Sequence, residues 1–152
     1  MINFIRTIDP LFQQLTQPLQ PLLLLFSRVW VAIAFFKSGL IKYNSWDSTL
    51  YLFEYEYQVP VLPWLWAAYS GTALELIVPV FLVLGLFSRP MAALLFGFNI
   101  IAVVSYPALW PQGFYDHQLW GMMLLVTLFW GAGKLSLDHW LNQGQAHHYP
   151  LK

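Results

Sequence analysis

Three polar side chains stand where the sequence is otherwise apolar: Arg28, Glu75 and Asn99. A charged side chain at the centre of a membrane span costs about 2.5–3.5 kcal/mol on insertion scales, so each needs a partner or a task. Arg28 lies seven residues into its apolar run, roughly 10 Å at the helical rise. Glu75 and Asn99 lie near the middle of theirs. An Arg28–Glu75 pair with Asn99 as a third partner is therefore expected. Two readings of it stay open: a buried clasp that fixes helix register, or a site for a lipid headgroup, a quinone or a proton.

A second cluster belongs to the opposite end of the spans. Lys37 and Ser38 close the first apolar run, Asp116, His117 and Gln118 open the last, and Glu54 and Glu56 sit in the segment above them. A snorkelling Lys37 paired to Asp116 is one reading. A carboxylate–histidine group touching a metal or a quinone carbonyl is the other. His117 is the histidine at a span boundary, whereas His139, His147 and His148 follow the last run, so a bis-histidine haem across two spans cannot form within one chain.

The chain has no cysteine, which excludes disulfides, thiol redox chemistry and thiolate metal sites within it. It also lacks a Gly-rich phosphate loop, a serine elbow and an H-E-x-x-H motif. With neither Cys nor clustered Met and His, no metal-ligand set is assigned and no catalytic residue is named.

The elements that must position these groups follow from composition. Hydrophobic residues make up 59% of the chain and charged residues 9%, far below the roughly 25% charged of a soluble domain. The formal net charge is zero, so no footprint for nucleic acid exists. Four apolar segments stand out, at about 21–41, 61–87, 90–106 and 117–132. Each is near the ~20 residues that cross a bilayer, and helices are the way to satisfy the backbone there. The expected fold is all-α, an integral membrane four-helix bundle with short amphipathic interfacial helices.

Residues 1–20 read as one such interfacial segment, with Leu11, Leu15 and Leu19 at helical spacing. Residues 42–60 hold another, with Ser45 or Asp47 as cap and Leu50, Phe53 and Tyr57 on one face. The domain proper is 21–141, and 142–152 is a polar tail. Ala32-Ile33-Ala34 resembles a signal cleavage site, but the apolar run continues past it, so a retained first span is expected. The short connection 88–90 makes the second and third spans a tight hairpin, and Pro79 is expected to kink the second one turn beyond Glu75. Gly71 shares a face with Glu75 and gives a neighbouring helix room beside the carboxylate. Arg6, Arg89, Lys134 and Lys152 fall on one side, which by the positive-inside rule places both termini in the cytoplasm of a bacterial-type inner membrane.

Several motifs in order resemble the DoxX family over about residues 21–141. They are Arg28, the run Lys37-Ser38-Gly39-Leu40-Ile41-Lys42, Glu75 with Pro79, Leu84-Gly85-Leu86-Phe87-Ser88-Arg89, and the closing Gly131-Ala132-Gly133-Lys134-Leu135-Ser136-Leu137-Asp138. The stretch from Trp46 to Pro60 resembles an HvfX-like branch, encoded beside copper-binding (bufferin-like) peptides and their modifying enzymes. Other relatives resemble the small subunit of a thiosulfate:quinone oxidoreductase or partner with thiol-redox enzymes. The resemblance implies an accessory or quinone- or lipid-binding partner in a redox or copper-peptide maturation system. The ligand would sit near Arg28, Glu75 and Asn99, with the acidic outer loop offered to a protein partner. Membrane lipids and a second copy of the chain are further expected partners. The alternatives are a small proton-coupled transporter or exporter subunit using Glu75, and a purely structural membrane anchor.

Overall fold

The computed structural model describes residues 10 and 12–146, and the regular elements among them are all helical. They are α1 (Gln20–Asn44), α2 (Trp46–Tyr55), α3 (Trp64–Leu84), α4 (Ser88–Ser105), α5 (Trp110–Trp130) and α6 (Leu137–Ala146), with a 3-10 turn at Pro107–Leu109. Residues 12–16 form further helix ahead of α1 and 17–19 a turn, while residues 1–9 and 11 of the expected N-terminal interfacial segment, and His147 and His148, lie outside the described residues. Helix α6 carries the chain through position 142.

Prolines and glycines set the boundaries. Pro21 and Pro111 stand in the first turns of α1 and α5, where a missing N–H leaves nothing unpaired. Gly85 (φ +66°) ends α3 in the left-handed conformation. Its N–H reaches Leu82 O at 3.1 Å and the next N–H, of Leu86, reaches Phe81 O at 3.0 Å, the paired bonds that satisfy a helix's last carbonyls. Pro79 lies inside α3 without ending it. Neither Ser45 nor Asp47 caps α2 through its side chain; Ser45 holds the position, and the Thr49 hydroxyl instead donates to Lys42 O at 3.0 Å.

Helices α1, α3 and α4 are long and apolar enough to cross a membrane. The fourth expected span lies within α5, which begins seven residues earlier than the apolar run and carries Gln112, Asp116, His117 and Gln118 in its first half. Packing runs in a ring, α1 on α3, α3 on α4, α4 on α5 and α5 on α1, with α2 laid against α1 and α3. The core between them is Val31, Phe35, Val78, Leu82, Leu95 and Leu124. A second cluster, Phe53 with Ala67 and Ala68, seats α2, and Trp46, Leu50 and Tyr57 pack around it.

The outward faces remain apolar. Leu23, Phe26, Ile77, Val104, Met122 and Phe129 are all more than half exposed, a surface far larger and more continuous than water-soluble monomers present. Trp66 and Trp110 at one end, and Trp130 and Trp140 at the other, are exposed as well, as in the aromatic belts of membrane proteins.

Candidate functional site

At the end of the bundle that holds the α3–α4 turn, Arg28 is fully buried. Its Nη1 donates to Leu82 O at 2.8 Å and its Nη2 to Leu135 O at 2.7 Å. One planar guanidinium thus ties α1 to the last turn of α3 and to the segment after α5, which the fork of an arginine suits and a lysine does not. Asp138 completes the clasp. Its carboxylate accepts from Phe87 N–H and Ser88 N–H, both at 2.8 Å, and from the Ser88 hydroxyl at 2.7 Å. Burial alone would push the Asp138 carboxyl up; these bonds and the Arg28 charge outweigh it and hold the carboxyl below the ordinary range. Gly85 has a second reason to be glycine, since a Cβ there would lie 2.5 Å from both Arg28 Nη1 and Ser136 Cβ.

Arg28 and Glu75 do not pair. Antiparallel α1 and α3 place Arg28 against Leu82, seven residues beyond Glu75, which is roughly 10 Å along the axis. Glu75 instead faces the other end of α1. Lys42 Nζ lies 2.7 Å from Glu75 Oε1 and 2.6 Å from Oε2, and Ser38 bridges them, accepting from Lys42 at 2.8 Å and donating to Oε1 at 3.2 Å. This is the ion pair found among the described residues. The approach depends on Gly39, where a Cβ would stand 2.9 Å from Glu75 Cβ.

Asn99 belongs to neither pair. It clamps His117: Asn99 Nδ2 donates to His117 O at 2.9 Å, and Asn99 Oδ1 lies 2.7 Å from His117 Nδ1. The His117 ring meets Phe35 and Trp120 edge-on. The three intramembrane polar residues expected to share one layer are therefore three separate contacts. In the second cluster the structure joins Ser38 to Glu75, but Lys37 and Asp116 are exposed and form no ion pair with each other. The reason is angular: Ser38 and Lys42, four residues apart, face α3, and Lys37 is turned about 100° away. Glu54 is exposed, and Glu56 accepts from the Tyr106 hydroxyl at 3.3 Å.

Lys42–Glu75 and His117 line one cavity of about 270 Å³. Its walls are mostly apolar, with Phe53, Gly71, Leu74, Phe98 and Tyr106 among them. Gly71 lines this cavity, and a Cβ there would stand 3.5 Å from Phe98 of α4 and 3.6 Å from Phe53 of α2, in ordinary contact with both. Tyr57 closes the top, its ring 4.8 Å from those of Phe53 and Tyr106. Burial, then the nearby Tyr106, Glu75 and Glu56, push the Tyr57 hydroxyl up to about 12, so it stays a proton donor at neutral pH. Gln58 N–H donates to Ser105 O at 2.8 Å and so pins this loop over the cavity. Ser105 belongs to the cavity wall, but its hydroxyl oxygen is itself buried and has no partner. On its other side His117 lines a more open groove of about 600 Å³ between α4 and α5.

A family model described as DoxX matches residues 23–108, more than half of the chain. The chain belongs to the DoxX family. No curated protein and no solved structure matches it. The matched region of this DoxX protein carries Arg28, Ser38, Lys42, Glu75 and Asn99, while His117 and the clasp partner Asp138 lie beyond it.

Sequence reasoning missed Lys42, Tyr57 and Ser105 as site residues, and Asp138 and Ser88 as the clasp. Lys42 stands just past the apolar run, yet it lies four residues from Ser38, on one helix face. That spacing was the available signal. Nothing local marks Tyr57 or Ser105, because a loop folding back onto α4 brings them together.

Proposed function

We propose that this DoxX protein is a bacterial inner-membrane accessory protein that holds a quinone, or a lipid with a compact polar head, as the membrane partner of a redox system. The observation that supports it most is the cavity over Lys42–Glu75. Ligand sites are mainly apolar with a few convergent polar groups and run to about 300–1,000 Å³, and this one of about 270 Å³ suits a single ring with the start of a tail. Four aromatic side chains, of Phe53, Tyr57, Phe98 and Tyr106, line it.

In this reading α5 is the fourth crossing. Arg89 and Lys134, which line one polar cleft at the clasp end, mark the cytoplasmic side, and the cavity lies near the opposite, outer end of the bundle. The Trp46–Pro60 stretch, which resembles the branch encoded beside copper-binding peptides, then forms the lid and faces the partner. Copper-peptide maturation is the setting this favours.

The test is extraction of the purified protein with organic solvent, followed by mass spectrometry. A quinone should accompany the wild type and be lost from Gly71→Leu, whose side chain fills the cavity while leaving every charge in place. Bulk phospholipid alone in both extracts would overturn the reading.

A further inference from the structure

Resting on the reading of the cavity as a quinone site, we propose that it selects the reduced, hydroquinone form, whose ring hydroxyl donates a hydrogen bond to His117 Nε2. The argument is a count of donors and acceptors in the wall. An ammonium has three protons, and those of Lys42 are directed to Glu75 Oε1, Glu75 Oε2 and Ser38 Oγ. The Ser38 hydroxyl is turned to Glu75 as well. The ion pair therefore offers the cavity no free donor. Tyr57 carries a hydroxyl that serves in either sense, whereas the Ser105 hydroxyl is buried.

His117 has no such freedom. Because the Asn99 amide nitrogen donates to His117 O, the amide oxygen is the atom facing the ring. An oxygen can only accept, so Nδ1 carries the proton, and in the neutral ring Nε2 is left as an acceptor. The ring packs against Phe35 and Trp120, and neither hydrogen bond made by its residue goes to a carboxylate. That favours the neutral form. Nε2 has no partner among the described residues, yet it is not sealed off, and His117 lines the cavity.

A quinone presents carbonyl oxygens only. Tyr57 can donate to them, but bringing an acceptor against Nε2 leaves two lone pairs facing each other. A hydroquinone satisfies both groups: its hydroxyl donates to Nε2 and still accepts from Tyr57. Leaving one enclosed acceptor unpaired lowers affinity by about tenfold, and that is the preference expected for the reduced ring.

The test uses the full chain in nanodiscs and equilibrium dialysis against a short-tailed benzoquinone. The same compound reduced with dithionite under argon is run in parallel, and empty discs correct for partition into lipid. Hydroquinone held about tenfold more tightly than quinone supports the proposal. Equal binding, or tighter quinone, overturns it and leaves the quinone site standing; failure of both to bind beyond the empty discs overturns the site and the proposal together. In His117→Gln the amide also offers a donor, so the preference should fall to within about twofold; a preference that persists in that variant removes His117 from the account. Nitrogen-15 NMR of histidine-labelled wild type reads the tautomer independently of any variant, and a proton found on Nε2 in the free protein overturns the proposal.

Discussion

Lys42 Nζ lies 2.6 Å from Glu75 Oε2, with only 17% of the lysine side chain and 6% of the glutamate side chain exposed. The two residues come from antiparallel helices and meet where Gly39 lets those helices touch. Together they are a neutral unit, which is how two charges remain in a low-dielectric interior. This pair, and not Arg28, accounts for the carboxylate in α3.

Breaking the pair from one side should cost more than removing it. Lys42→Met strands a buried carboxylate and should destabilise the protein by about 3–5 kcal/mol. The double variant Lys42→Met/Glu75→Gln should recover most of that loss, because an amide needs no counter-charge. Thermal melts of the purified proteins in one detergent provide the cycle. Additive effects would show that the pair contributes no coupling.

The clasp at the other end should respond independently. Arg28→Lys retains the charge but cannot reach Leu82 O and Leu135 O at once, so a loss of about 2–3 kcal/mol is expected from the missing charged hydrogen bond. Hydrogen exchange should accelerate in residues 131–139, while dialysis binding of the ligand stays near wild type. Loss of binding at unchanged exchange would put Arg28 in the site and refute the assignment of clasp.

Asp138 gives the clasp a pH signature. Its folded-state carboxyl titrates below the ordinary value of 3.8, so the unfolded chain takes up the proton first as pH falls. The stabilisation is complete above that ordinary value and disappears as pH drops through the lower folded one. Melting temperature should therefore decline below about pH 4 more steeply in the wild type than in Asp138→Asn, which is already less stable at pH 6. Parallel declines would show that other carboxylates govern the acid limit.

The sequence made the membrane character legible because lipid demands long apolar runs, and the three helices that meet that demand each overlap a predicted segment, the first running on to Asn44 and the third starting at Ser88. It placed α2 and its packed face through Leu50 and Phe53, since the periodicity is local. It could not assign partners. Arg28, Glu75 and Asn99 have similar depth along their own helices, but the register between α1 and α3 is set by where Gly39 lets them meet. In place of an expected Arg28–Glu75 pair, Arg28 meets Leu82, about two turns beyond Glu75, and Glu75 meets Lys42, about four turns beyond Arg28. The start of α5 was hidden because its first turns mix exposed Gln112 and Asp116 with Pro111 and Gly113, so the hydropathy pattern reports only the second half of the helix.

Two glycines that look alike in sequence should behave in opposite ways. A Cβ at Gly39 would meet Glu75 Cβ at 2.9 Å and Leu76 at 3.0 Å, whereas one at Gly97 would meet nothing within 4 Å. Both sit inside helices, where alanine is intrinsically better by about 0.5–1 kcal/mol. Gly97→Ala should therefore stabilise the protein by about that amount. Gly39→Ala must push α1 from α3 against atoms of the backbone-anchored first carbon, and overpacking of this kind costs about 1–3 kcal/mol. The same displacement lengthens Lys42–Glu75, so Gly39→Ala should also weaken hydroquinone binding, and Gly97→Ala should not. A stabilised Gly39→Ala protein with intact binding would mean that the seam between α1 and α3 is looser than the Lys42–Glu75 geometry requires.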